Sequence, residues 1–433
     1  MSRTRRHKPL RVLLNNRLVG HLWKQTSGAI EFRYDANWLA AENATPVSLS
    51  LPLREDAFKG APVIAVFENL LPDSDVLRAR VAEKVGAEGT DAYSLLSVIG
   101  RDCVGALQFI PDDDASGYDT SQIAGEAVSD DQIETLLQNL KQAPLGLDRD
   151  QDFRISIAGA QEKTALLCHG GKWMKPHGVT PTTHLFKTQI GALPNGIDLS
   201  NSIENEFYCL KLMAAFGLPA NNAEIKVFGK TKALVIERFD RLWTKDGRLI
   251  RIPMEDCCQA LSFPPSRKYQ ADGGPGMADI LTLLSGGDSP SRDHKNFLKA
   301  QMLFWLMGAT DGHAKNFSIF LGPAGRFYMT PFYDVLTAQP SLEARQILKK
   351  QMKLAMFVGD TRHYVIEYIQ ERDFVQTAVR AGLSKNIASE ALQEIANKVK
   401  DALAAVEQHL QSGFLEAIHE SVSKGIKSRI ALS

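Results

Sequence analysis

Apolar and polar positions divide the chain into a strand-rich front, a mixed middle and a helical end. Arg11-Val-Leu-Leu-Asn-Asn-Arg-Leu-Val-Gly-His-Leu-Trp23 predicts two strands around Asn15-Asn16, because Asn accepts the left-handed backbone that tight turns demand. Phe67-Glu-Asn-Leu-Leu-Pro72 opens a helical stretch that carries Val76, Leu77, Ala79, Val81 and Ala82 among charges. Residues 93–99 predict a helix closed by Gly100, and residues 104–110 a strand. A polar linker is expected from Pro111 to about Asp150. Residues 153–167, 183–188 and 232–239 read as strands, and residues 204–216 as a helix stopped by Gly217 and Pro219. Residues 292–307 are apolar on all faces toward their C-terminal end, as in a helix buried in a core, and Gly308 ends them. At the C-terminus, Leu392, Ile395, Val399, Leu403, Val406 and Leu410, then Phe414, Ile418, Val422, Ile426 and Ile430, recur at helical spacing.

Bulk composition narrows the class. The 433 residues suggest two or three domains, and 44% hydrophobic with 23% charged residues is ordinary globular usage. Lys+Arg and Asp+Glu balance at 50 each, so no global positive field draws the chain to nucleic acid or an anionic membrane. Cys103, Cys168, Cys209, Cys257 and Cys258 are odd in number and lack C-x-x-C spacing, which argues against disulfide frameworks and thiolate zinc and fits a reducing cytoplasm. The basic start, Arg3 to Arg11, lacks the apolar core of a signal peptide, and no apolar run reaches about 20 residues. Neither a helix-turn-helix pattern nor an aromatic-basic RNA motif is present.

The chemistry concentrates after the buried helix, in Ala309-Thr-Asp-Gly-His-Ala-Lys-Asn-Phe-Ser318, followed by Pro331-Phe-Tyr-Asp334. Asp311, Asn316 and Asp334 supply a base, an amide and a second carboxylate in the order D-x-x-x-x-N, strand pair, Asp. That order is similar to the catalytic end of a protein kinase, where a base orients a hydroxyl and oxygen ligands hold Mg²⁺ on ATP phosphates. A polar turn with capping Asp and Asn is the plainer alternative for the spacing alone; the buried helix before it and Asp334 after it favour the catalytic one. His313 and Lys315 lie inside the same block.

Four further pieces are weaker. Ser156, Ile157, Ala158, Gly159 and Ala160 include small residues able to let backbone N–H groups approach phosphate, or they form an ordinary turn. Lys187 ends an apolar stretch and either reaches ATP phosphates, with Glu206 or Glu204 on the next helix holding it, or snorkels at a sheet edge. Glu237-Arg-Phe239 follows a buried run, at the place of a hinge strand that would hold adenine, or is a strand end with a solvated Glu-Arg pair. Asp272-Gly-Gly-Pro-Gly276 reads as a turn and Cys257-Cys258 as packed thiols.

The chain as a whole resembles the HipA family of serine/threonine kinase toxins. The likeness rests on Ile155-Ser-Ile-Ala-Gly-Ala-Gln-Glu-Lys-Thr-Ala-Leu-Leu167, Thr180-Pro-Thr-Thr-His184, Val235-Ile-Glu-Arg-Phe-Asp240, Asp272-Gly-Gly-Pro-Gly276, the Asp311 block and Pro331-Phe-Tyr-Asp334. Glu68-Asn-Leu-Leu-Pro-Asp-Ser74 and Ile99-Gly-Arg-Asp-Cys-Val-Gly-Ala106 extend it to the front. It implies an α+β, bilobal protein-kinase-like fold, with a small β-rich lobe, an α-helical lobe and an N-terminal β/α HipA subdomain. The boundaries expected are 1–150 for that subdomain with its linker, 151–240 for the nucleotide-binding portion and 241–433 for the helical catalytic lobe.

The same resemblance implies ATP and Mg²⁺ as cofactors. It makes Asp311 the catalytic base and Asn316 and Asp334 the metal ligands. Lys187 and residues 156–159 would face the phosphates, Glu237 and Phe239 would offer hinge backbone groups, and His313 and Lys315 would border the nucleotide. Ser156 would be the autophosphorylation site through which the enzyme inactivates itself. The family's acceptor is a protein serine, in glutamyl-tRNA synthetase, and its modification inhibits translation and promotes dormancy and persistence. The implied partners are a HipB-like helix-turn-helix antitoxin dimer and, mainly through it, operator DNA; no membrane is involved. A catalytically weak co-repressor subunit is the alternative. Two departures from ordinary protein kinases stand out: no Lys follows Asp311 by two residues, and Pro-Phe-Tyr-Asp334 replaces D-F-G.

Overall fold

The structure is a computed structural model that describes residues 7–114, 123–147, 153–159, 161–408, 410 and 414–430. Arg3 of the basic start, the middle of the expected linker and Ala160 lie outside the described residues. The architecture is α+β, with several small sheets. Contacts divide the chain into two units, Met1–Thr188 with Lys226–Ser266 and Ile319–Phe327, and Gln189–Ile225 with Arg267–Ser318 and Tyr328–Ser433.

The first unit opens with the expected hairpin. Leu10–Leu14 and Arg17–Lys24 pair antiparallel, and Asn15 and Asn16 turn the chain with φ of 47° and 65°. Three further strands complete a sheet in the order Phe58–Lys59, Ile30–Tyr34, Arg17–Lys24, Leu10–Leu14, Leu107–Pro111. The helices Ala61–Glu68, Asp75–Val85 and Ala92–Ile99 share its core, in which the Phe67 and Phe109 rings meet edge to face at 5.5 Å. Ser74 and Asp91 cap two of them by accepting from Leu77 N–H (3.3 Å) and Ser94 N–H (3.2 Å). Phe67 ends a helix rather than opening one. Pro62 stands at the first turn of Ala61–Glu68, where its missing N–H costs nothing.

A second sheet follows, in the order Ala223–Phe228, Thr231–Glu237, His184–Lys187, Lys163–His169, Lys172–Pro176, Gly125–Ala127. Two expectations are corrected here. The polar linker contains the strand Gly125–Ala127 and the helix Asp130–Gln138, started by a reciprocal capping box between Ser129 and Gln132. Ile133, Leu137 and Leu140 then pack with Leu166, Phe186, Phe228, Ala233 and Val235, which gives a short amphipathic helix in a polar stretch its apolar partner. The strand expected over 153–167 begins only at Lys163, because Ser156 bonds Leu70 and Asp102, and Phe153, Ile155 and Ile157 join the core of the N-terminal segment.

In the second unit the helix Pro290–Met307 is buried along most of its length and ends at Gly308, in the left-handed region at φ 71°. Lys385–Glu407 and Phe414–Ile430, helical as their three-and-four spacing predicts, pack against it and against Ser202–Ala215. Among the described residues no helix is long and apolar enough to cross a membrane.

Candidate active site

The second unit carries the acidic and amide candidates, Asp311, Asn316 and Asp334. The chain leaves the buried helix at Gly308 and enters a tight turn over residues 311–316. His313 N–H donates to Asp311 O (2.8 Å), Asn316 N–H to His313 O (2.9 Å), and Asn316 Nδ2 to the same Asp311 carbonyl (2.7 Å). Asn316 thereby spends a hydrogen of its amide nitrogen on the turn, and its Oδ1 is an acceptor of the kind a hard cation takes. Gly312 is needed by close approach, since a Cβ there would stand 2.5 Å from the Phe304 ring. Asp311 is exposed, whereas His313, Lys315 and Asn316 are buried.

Tyr269 is a residue that sequence reasoning missed. Its hydroxyl donates to Asp311 Oδ1, and its ring meets His313 edge-on at 4.8 Å. Lys268 O accepts from Ala314 N–H at 3.2 Å, so the Lys-Tyr pair borders the turn along its length. The only sequence signal was its place just before Asp272-Gly-Gly-Pro-Gly276.

Asp334 is tied to the same turn through its neighbour. Tyr333 OH donates to Lys315 O (3.0 Å) and shares a hydrogen bond with Ser318 Oγ (2.5 Å). Phe332 is fixed by its N–H to Pro219 O (2.7 Å) and by Asn221 N–H to its carbonyl (2.8 Å). Its ring packs edge-on against Phe317 in the core, so a swinging Phe before the Asp has no room. Asp334 itself holds φ at 56°, a conformation costly for a residue with a Cβ and found where surrounding structure imposes it. Of the two rivals for Lys187, Glu204 accepts from Gln189 Nε2 at 2.7 Å, and Glu206 is buried.

The first unit carries the basic candidates. His184–Lys187 lies in the interior of the six-stranded sheet, and Lys187 is buried, so it is no edge lysine with its head in water. Lys163, unassigned by the sequence, is its direct cross-strand partner and is likewise buried. Lys163 Nζ donates to Ala158 O at 2.7 Å, and a Cβ on Gly159 (φ 107°) would stand 2.5 Å from that ammonium. Ser156, Ile157, Ala158 and Gly159 thus form an irregular loop against Lys163, with Ser156 and Ile157 buried. Two paired lysines, one of them against a loop whose position 159 only glycine fits, suit a polyphosphate. For the cation, no group of three His, Cys, Asp or Glu occurs among the described residues. An Asp, an Asn and an Asp are hard oxygen donors of the kind Mg²⁺ takes alongside phosphate oxygens.

Glu237 ends the strand Thr231–Glu237 exposed, and Phe239 is half-buried with its ring edge-on to Phe320 at 5.8 Å. Between them Arg238 is not a solvated partner of Glu237. It points inward and donates to Asp240 (2.8 and 3.0 Å) and to Asp102 (3.3 Å). Asp102 also accepts from Arg241 (2.9 Å), Arg251 (3.0 Å) and the Thr182 hydroxyl (2.7 Å). Burial pushes the Asp102 carboxyl upward, but Arg241, Arg251 and Arg238 outweigh that and hold it well below the usual range. The Gly-Arg-Asp-Cys motif of the front therefore anchors the strand that leads to Phe239.

The α+β fold, a buried lysine pair on neighbouring strands of the first unit and an Asp-x-x-x-x-Asn turn after a buried helix of the second are features of kinase-like enzymes. The chain belongs to the HipA family: the HipA-like C-terminal domain matches residues 155–403 and the HipA N-terminal domain residues 10–110. It is 34% identical over 364 residues to Y4mE of Sinorhizobium fredii, provisionally named a kinase, covering 81% of this chain and 83% of that one. It is 26% identical over 411 residues to the serine/threonine-protein kinase toxin HipA of Shewanella oneidensis, covering 92% and 89%. A solved complex of Shewanella oneidensis HipA, HipB and operator DNA matches at a TM-score of 0.80 and 23% identity, over 98% of this chain and 97% of that chain.

Proposed function

We propose that this chain is the kinase toxin of a toxin–antitoxin pair and phosphorylates a protein serine or threonine from Mg²⁺-bound ATP. The observation that supports the proposal is the turn in which Asn316 Nδ2 closes onto the backbone carbonyl of Asp311, tying together the two residues we take as base and cation ligand. Asp311 accepts the proton of the incoming hydroxyl. Asn316 Oδ1 and the Asp334 carboxylate hold the cation, and Lys163 and Lys187 neutralise phosphate charge. Bound Mg²⁺–ATP supplies the phosphoryl group and part of the charge stabilisation. His313 and Lys315 border the nucleotide from the same turn, residues 156–159 cover its phosphates, and the backbone at Glu237 and Phe239 receives its base.

The acceptor we propose is a serine of glutamyl-tRNA synthetase, whose modification would slow translation and lead cells into dormancy. A HipB-like helix-turn-helix dimer would neutralise the enzyme and carry it to operator DNA, in keeping with the chain's zero formal charge. All of this is expected in the cytoplasm. Transfer of ³²P from ATP to purified glutamyl-tRNA synthetase, with Asp311→Asn as control, tests the proposal. Label on the synthetase that disappears in the variant supports it; a wild-type chain that labels no protein removes it.

A further inference from the structure

The HipA N-terminal domain and the HipA-like C-terminal domain match separate stretches of chain, yet the loop that begins the second is fastened by the first. Ser156 Oγ donates to Leu70 O (2.8 Å), and Ser156 N–H to Asp102 O (3.0 Å). Pro72 and Gly159 form a parallel bridge, in which Asp73 N–H donates to Gly159 O (3.3 Å). Residues 69–74 lie between the helices Ala61–Glu68 and Asp75–Val85, so their carbonyls need another source of order.

Arg78 supplies it. Its Nε donates to Pro72 O (2.6 Å) and its Nη2 to Glu68 O (3.0 Å), while Nη1 pairs with the Glu68 carboxylate. Glu68 in turn accepts from Ala92 N–H (3.0 Å). One buried guanidinium thus grips both ends of residues 68–72, and Leu70 O stands between the two grips. A planar fork is suited to holding two carbonyls and a carboxylate at fixed spacing, which an ammonium cannot do.

We propose that residues 68–73 are the bed on which the phosphate loop rests, and that Arg78 is a positioning residue for nucleotide binding that acts through Leu70, Pro72 and the loop. The N-terminal domain is in this sense part of the ATP site. The proposal rests on the kinase function above, because it takes residues 156–159 to face phosphate.

The test uses the full chain with Arg78→Met and Arg78→Lys, each checked for cooperative melting. Two quantities are read: amide hydrogen exchange over residues 155–159 without nucleotide, and the KM for ATP beside kcat. We expect the loop amides to lose protection while the helix Pro290–Met307 keeps its own. We also expect KM for ATP to rise about tenfold, with a smaller change in kcat, as misplacement at a distance produces. Should Arg78→Met fail to fold, Arg78→Lys decides, since it keeps the charge and loses the fork. Unchanged loop exchange, or unchanged KM, in a folded variant overturns the proposal. A wild-type chain without ATP turnover would instead remove the kinase reading, and the exchange measurement would still judge the clamp.

Discussion

Lys163 and Lys187 stand directly opposite each other on neighbouring antiparallel strands. Opposed residues project from the same face, so two buried lysines stand side by side, and Lys163 also meets the loop at Ala158 O. A polyphosphate held there would meet both ammonium groups at once. Lys163→Met and Lys187→Met should each weaken ATP binding at least about tenfold, the scale of one lost charge-assisted hydrogen bond. Isothermal titration with a non-hydrolysable ATP analogue and Mg²⁺ measures this directly. Unaltered affinity in either variant would remove that lysine from the phosphate site.

Asp311→Asn should abolish transfer and leave the fold in place. Asn316 Nδ2 and His313 N–H both bond the backbone carbonyl of residue 311, so the turn does not depend on the carboxylate. Loss of a general base lowers kcat by about 10²–10⁴-fold. The melting temperature should stay near wild type, because the side chain is exposed. Retained transfer would show that another group takes the proton.

Phosphate on Ser156 should keep the loop from returning to its bed. The hydroxyl is fully buried and donates to Leu70 O at 2.8 Å. A phosphoserine carries about −1.5 to −2 charges and offers acceptors where the carbonyl needs a donor. Protein phosphorylated at Ser156 is expected to bind ATP at least about tenfold more weakly and to lose amide protection over residues 155–159. Equal affinity of the two forms, separated by ion exchange and verified by mass spectrometry, would dismiss self-inactivation by this route.

Stability should fall as pH rises through the neutral range, because of Glu255. Its carboxyl is buried and accepts from Leu49 N–H at 2.8 Å. Burial pushes its pKa up to about 8, against the pull of Leu49 N–H and the Ser48 hydroxyl; Asp256 adds a smaller upward push. The folded state therefore binds one more proton than the unfolded state between the usual glutamate value of 4.5 and about 8. Its contribution is fully present below the lower value and is lost as pH passes the upper one. The slope is at most about 1.4 kcal/mol per pH unit. Urea melts at pH 5, 6, 7 and 8 should show the decline in wild type and a flatter profile in Glu255→Gln; parallel profiles would contradict it.

Asp102→Ala should destabilise strongly, by about 3–5 kcal/mol, because it leaves Arg238, Arg241 and Arg251 buried without the carboxylate they share. Calorimetry reads the loss, and a change below about 1 kcal/mol would mean that water or Asp240 replaces the carboxylate.

Much was legible along the chain because the signals are local. Asn15-Asn16 marked a hairpin, since the left-handed turn is a property of two residues. Gly308 marked the end of a buried helix for the same reason, and the Asp311–Asn316 spacing is itself the turn. The helix Asp130–Gln138 was hidden: its Ser129–Gln132 capping box is local, but its apolar partners, Phe186 and Val235 among them, lie far along the chain. Residues 153–162 look like a strand because alternation cannot tell a sheet neighbour from Leu70 and Asp102.

Sequence by itself determined the family, the first hairpin, the buried helix with its Gly308 stop and the C-terminal helices, because propensity, capping and spacing act over a few residues. Only the tertiary structure decided that Lys163 faces Lys187, that Tyr269 meets Asp311, that Arg238 turns inward to Asp102 and that Ser156 rests on Leu70. Those relations join residues tens to more than a hundred positions apart. They follow from strand register, burial and the need of each buried charge and carbonyl for a partner, which no local pattern records.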